Sequence, residues 1–138
     1  MNIKGWTGIV GVAVLTAGWL VSGQLQAATA ASDGYTLEDF RLRTAADLVD
    51  VCALGESHPH YETARGFCYG FFEGAKHYHD TISGAPSHHK LVCAPAETTR
   101  TDAVEVFTTY IRSNPQYASD GPIDAIFRAL IAKWPCAE

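Results

Sequence analysis

The sequence predicts a small all-α protein, a four-helix or slightly irregular bundle tied by two disulfides and preceded by an N-terminal signal peptide. Three observations carry that expectation. Apolar residues recur at helical spacing in four separate segments, and no segment alternates as a half-buried strand would. Thr-x-x-Asp spacings, at Thr36/Asp39, Thr44/Asp47 and Thr99/Asp102, stand where capping boxes open helices. Four cysteines, Cys52, Cys68, Cys93 and Cys136, follow a leader-like N-terminus, and an even number in an exported chain points to a disulfide framework.

The first segment, "MNIKGWTGIVGVAVLTAGWLVSGQLQAATA", has one cation, Lys4, then an uncharged run from Gly5 and small-residue sites at Leu25-Gln26-Ala27 and Ala28-Thr29-Ala30. This is the three-part pattern of a secretory signal over residues 1–27. A retained anchor is the alternative, because the run nears the lower length for a membrane span, but it ends in cleavage-like sites and not in a charged stop. The expectation is therefore a periplasmic protein with no membrane segment after cleavage. Losing Lys4 with the leader takes the formal charge from −5 to −6. An acidic chain is unsuited to nucleic acid, whose binding depends on Lys and Arg neutralising phosphates; it suits a basic partner or plain solubility.

Residues 28–43 form a lead-in. Its "YTLEDFRLR" either extends the first helix backward or runs extended along its surface. The helical domain spans residues 44–138. Its first helix opens at Thr44, with Asp47 at the box position, and places Ala45, Leu48, Val49 and Cys52 on one stripe. "GESHPHYE" turns the chain, with Pro59 as an early helical residue after Ser57 or His58. The second helix runs from about Pro59 to about Thr81, with Ala64, Phe67, Cys68, Phe71, Phe72, Ala75 and Tyr78 as its apolar face. "SGAPSHHK" is a loop by composition. Thr99 and Asp102 open the third helix, whose apolar side is Ala103, Phe107, Tyr110 and Ile111. "SNPQYASDGP" breaks it. In the fourth helix, "IDAIFRALIAKW", Ile123, Ile126, Phe127, Leu130, Ile131 and Trp134 keep helical spacing until Pro135 stops it.

Within the second helix Gly66, Gly70 and Gly74 recur every fourth residue. Each helix-interior glycine costs roughly 1 kcal/mol relative to alanine, so the spacing predicts a close approach of another backbone, either inside the bundle or across a dimer axis. Arg65, Glu73, Lys76 and Asp80 on the same segment exclude a bilayer span. Hairpin geometry pairs the cysteines. Cys52 ends the first helix as Cys68 begins the second, and Cys93 precedes the third helix while Cys136 follows the fourth, so the expected bridges are Cys52–Cys68 and Cys93–Cys136.

All six histidines fall between positions 58 and 89. His77 and His79 are two apart and diverge on a helix, whereas a dedicated metal site uses ligands three or four apart. The cluster reads as solvated, with a pH-responsive surface or weak metal buffering as alternatives. No metal and no cofactor are expected. With the cysteines assigned to bridges, and without a G-x-S-x-G, H-E-x-x-H or glycine-rich phosphate loop, the chain is not expected to be an enzyme. The carboxylate pairs Asp47/Asp50 and Asp120/Asp124 lie at helix starts, where capping and the helix dipole account for them.

In order, "LVDVC", "FCYGFFEG", "CAP", "YIRSNP" and "KWPC" resemble the Rap/Tai family of immunity proteins that act against type VI secretion amidase toxins, over about residues 44 to 136. The matching positions Cys68, Gly70, Gly74, Cys93, Pro95, Tyr110, Pro115, Pro135 and Cys136 are of a structural kind. Phe71 and Phe72 stand where Tyr and Ile are expected, His77 where an acidic residue is common, and Asp102 in place of Gln. The resemblance implies a periplasmic, often dimeric, non-catalytic helical protein that binds a peptidoglycan-cleaving amidase and blocks its groove. The partner surface is then expected on the exposed loops 83–92 and 113–122, with His88, His89, Gln116 and Tyr117 as contact residues.

Overall fold

The computed structural model describes residues 34–137; the expected signal peptide lies outside them. Four helices follow in order: α1 (Ala45–Cys52), α2 (Tyr61–Ser83), α3 (Arg100–Ser113) and α4 (Pro122–Lys133), with short 3-10 turns at Leu37–Arg41 and Pro115–Tyr117. Among the described residues the only extended pairing is a single antiparallel bridge between Val92 and Pro135. Both expected disulfides are formed, Cys52–Cys68 and Cys93–Cys136.

Capping sets the helix starts. The Thr44 hydroxyl accepts from the Asp47 N–H at 3.2 Å, and the Asp47 carboxylate accepts from the N–H groups of Arg43 and Thr44 at 2.8 and 3.2 Å. Burial works to raise the Asp47 carboxyl, but the Thr44 hydroxyl and these two amides outweigh it and hold the group below its usual range. Thr99 and Asp102 repeat the box at α3. The "YTLEDFRLR" segment takes neither of its two expected forms. It closes its own 3-10 turn with a Thr36–Asp39 box, then leaves it through Leu42 in the left-handed region (φ 47°). Tyr35, Phe40 and Leu42 pack on the core, so the packed unit begins ahead of residue 44.

Leu48, Val51, Cys68, Phe107 and Ile126 are the largest fully buried side chains. Phe72 and Phe107 meet edge to face at 5.6 Å and join α2 to α3. The Cys52–Cys68 bridge fastens α1 to α2 beside this cluster, with Cys68 1% exposed.

The packing corrects four expectations. The second helix starts two residues later than Pro59, with His60 as N-cap and no side-chain bond there. Its buried face is Ala64, Cys68, Phe72, Ala75 and His79, while Tyr78 is 66% exposed. Gly66, Gly70 and Gly74 each follow a buried residue by two positions, about 200° around the helix, so they face away from the bundle. A methyl group at any of the three would meet no neighbouring atom within 4 Å. The predicted close approach inside the bundle is therefore absent. In α4 the buried residues are Ala125, Ile126 and Ala129, and Ile123 is 41% exposed. The alanines let α4 sit close on α1 and α3, which turns the larger residues Phe127 and Leu130 to its margin, where they are only partly buried.

Candidate functional site

Two irregular segments carry the four residues expected to contact a partner. The shorter, residues 114–121, is fixed from several sides. At the N-terminus of α1, the N–H groups of Ala45 and Ala46 donate to the carbonyls of Asp120 and Ala118 at 2.8 and 2.9 Å. These are amides that a helix start leaves without intrahelical partners. The Tyr117 ring stacks on Tyr110 at 6.0 Å with an 8° interplanar angle. On Tyr117 also lies the Arg128 guanidinium, 4.3 Å from the ring centroid, and Arg128 pairs with Asp120 at 3.3 Å. The Asn114 amide donates to the Tyr110 carbonyl at 2.8 Å. Tyr117 is thus half-buried as part of the support, and Gln116 is exposed on the tip.

The longer segment, the connector of residues 84–99, is held at fewer points. Near its middle it is fixed by the Cys93–Cys136 bridge, by the Cys93 N–H donating to the Trp134 carbonyl at 2.9 Å and by the Val92–Pro135 bridge. The preceding residue, Leu91, is held by His79. That ring is 4% exposed, packs against Phe127 with centroids 5.1 Å apart, and accepts the Leu91 N–H on Nε2 at 3.0 Å. Exposed His88 and His89 lie between the end of α2 and these points.

Connector, α2, α4 and the start of α3 enclose a cleft of about 430 Å³, with Phe72, Ile126, Phe127, Leu130 and Trp134 on its apolar side. Charged groups at its rim are largely matched to one another. Glu73 accepts from Arg100 Nε at 3.1 Å and Nη2 at 3.0 Å, and lies 3.2 Å from His77 Nε2. Lys76 donates to Asp80 at 2.7 Å, and this bond, ahead of opposing desolvation, holds the Asp80 carboxyl below its usual range. On the outer face of α2, Arg65 and Arg100 lie over the Tyr69 ring at 5.2 and 5.5 Å. The Tyr69 hydroxyl, bonded to Thr101 at 2.9 Å, is lowered first by that bond. This chemistry is that of a shaped, charge-paired surface.

A family model described as Rap1a immunity proteins matches residues 44–136. The chain belongs to the Rap1a family of immunity proteins. Membership brings a protein toxin as the partner class. The matched span takes in both disulfides, the connector and the 114–121 loop, so the two loops belong to the family domain itself. Neither a curated protein nor a solved structure matches the chain.

The structure distributes the histidines over separate places. His58 and His60 lie beside Tyr35 with ring centroids 5.1 and 6.2 Å from it, His77 pairs with Glu73, and His79 is buried alone. No group of three or more His, Cys, Asp or Glu side chains gathers at metal-binding spacing among the described residues. Nor does a hydrogen bond or ion pair join His88 or His89 to Gln116 or Tyr117 among them. His79 is the residue that the sequence reading missed as a structural element. Its signal was present, because it follows Phe72 and Ala75 by seven and four positions, on the same helical stripe.

Proposed function

We propose that the protein is a periplasmic, non-catalytic inhibitor that binds a peptidoglycan-cleaving amidase of a type VI secretion system and blocks its groove. The observation that supports this reading is the family match over residues 44–136. The 114–121 loop suits the task of insertion. It is exposed at Gln116, and its shape is set before binding by Tyr110, Tyr117, Arg128 and the α1 amides, so little ordering entropy remains to be lost on contact. His88 and His89 provide a second, looser contact region on the connector. The test is direct: the oxidised protein is titrated into a purified cell-wall amidase encoded beside it, following peptidoglycan cleavage. Stoichiometric inhibition with nanomolar affinity is expected; undiminished cleavage at saturating protein refutes the reading.

Pairing of two copies through the glycine face of α2 belongs to the same proposal. Three exposed helix-interior glycines each cost roughly 1 kcal/mol relative to alanine, and no contact within the described chain offsets that cost. Gly70→Ala should stabilise the monomer by about 0.5–1 kcal/mol. Gly70→Leu should leave the monomer folded and weaken self-association in analytical ultracentrifugation. Unchanged association with Gly70→Leu refutes the pairing and leaves the inhibitor reading standing.

A further inference from the structure

His79 holds the connector with a nitrogen that can do so only while it is unprotonated. Nε2 accepts the Leu91 N–H at 3.0 Å, which fixes the ring's proton on Nδ1 in the neutral state. Two other groups surround the ring in a way that serves its protonated form. The Ser83 hydroxyl oxygen lies 3.3 Å from Nε2 and can accept a hydrogen bond from an N–H placed there. The Asp80 carboxylate lies 3.6 Å from Nδ1. With a proton on Nε2, the Leu91 N–H and the ring N–H become two donors facing each other, and the first loses its acceptor.

We propose that His79 is a proton-operated latch on the connector. In the neutral ring, Nε2 is engaged by Leu91 and residues 84–91 lie against the end of α2. When Nε2 takes up a proton, it donates to Ser83 instead and releases Leu91. Release stops at Val92 and Cys93, which stay fixed by the Val92–Pro135 bridge, the Cys93 N–H to Trp134 carbonyl bond and the Cys93–Cys136 disulfide. The moving part is therefore a short segment that carries His88, His89 and Lys90.

The charged surroundings leave this exchange of partners to the ring itself. On α2, Asp80 is paired with Lys76 and Glu73 with Arg100 of α3. Lys90 is the charged connector residue on the cleft. The side that α4 presents to the ring is Phe127, an apolar wall.

The experiment is NMR on the intact oxidised protein. At neutral pH, long-range ¹H–¹⁵N correlation should show the Nδ1–H tautomer at His79, with the Leu91 amide protected from hydrogen exchange. As the pH falls, Leu91 protection, corrected for intrinsic exchange, should drop at least tenfold with the same midpoint as the His79 ring signals, while the Cys93 amide keeps its protection. In His79→Gln the step at Leu91 should be gone between pH 5 and 8. An Nε2–H tautomer at neutral pH, Leu91 protection that is absent at neutral pH or constant through the His79 titration, or a step that persists in His79→Gln overturns the latch. Should the variant not fold, the wild-type titration decides alone.

Discussion

The two loops resemble each other in composition and differ in how they are held. Residues 114–121 are surrounded by contacts from α1, α3 and α4, all of them non-covalent, including two backbone bonds from the start of α1 and a Tyr110–Tyr117–Arg128–Asp120 chain. The connector is twice as long, carries most of its residues exposed, and is held over residues 91–93 by one histidine, the backbone pairing to Trp134 and Pro135 and one disulfide. The first is a rigid projection whose shape comes with the fold. The second is a strap pinned near its middle, covalently at Cys93 and by a titratable group at Leu91. A loop meant to enter a groove gains from the first arrangement, and a segment that changes position with conditions requires the second.

Cutting the strap's covalent pin should have the largest effect. The Cys93–Cys136 bridge closes 43 residues, for which the chain-entropy model gives about 4 kcal/mol. Part of that is returned, because the freed connector also gains entropy in the native state. Replacing both cysteines by alanine should therefore lower stability by about 2–4 kcal/mol in urea unfolding. Exchange protection should be lost at Leu91 and Cys93 while Ala45 and Ala46, which hold the other loop, keep theirs in proportion to global stability. Loss of protection at both loops together would show that they are one cooperative unit and erase the distinction.

The matching cut in the rigid loop is Tyr117→Ala. It removes a stacked ring pair and a cation–π contact, each worth roughly 0.5–1.5 kcal/mol, so a loss of about 2 kcal/mol is expected. If the loop is the projection that enters the toxin, this variant should also bind the amidase more weakly than Gln116→Ala does, because it disorders the whole tip whereas the latter trims one side chain. Calorimetric binding of both variants ranks them.

How much of this was legible in the sequence follows from the reach of the interactions. The helix starts at Thr44 and Thr99 and both disulfide pairings were readable, because capping is decided within four residues and hairpin geometry follows from the order of helices. For the glycine face the arithmetic could have set aside the contact inside the bundle: Gly70 stands two residues from Cys68, and a residue 200° from a buried bridge faces outward. Ala125 and Ala129 were passed over for the larger Phe127 and Leu130, since periodicity shows which residues share a side but not which neighbour approaches closest. The His79–Leu91 bond spans 12 residues, and the Tyr117–Arg128 contact depends on how α4 returns past α3. Neither has a local pattern. These non-local contacts are the ones that separate strap from projection.

The smallest expected effect is the most discriminating, because it sets the capping boxes at the two loops against each other. Thr44→Ala loosens the start of α1 beneath the rigid loop, and Thr99→Ala loosens the start of α3 at the end of the strap; each should cost about 1 kcal/mol. Their carboxylate partners fix the pH at which they act. Asp47 and Asp102 are both held below the ordinary carboxylate range, Asp47 against opposing burial and Asp102 first by the Thr99 hydroxyl. A carboxyl depressed by folding adds stability that is fully present above its unfolded value, about 4, and that is lost as pH falls through the folded one. Both boxes are therefore intact from pH 5 upward, and the rigid loop, which depends on no histidine, should keep its Ala45 and Ala46 protection unchanged between pH 5 and 8 in wild type and in Thr99→Ala alike. Any change confined to Leu91 in that window then arises from the histidine that pins the strap and not from the cap at its end. A parallel change at Ala45 would mean instead that acid acts on the bundle as a whole.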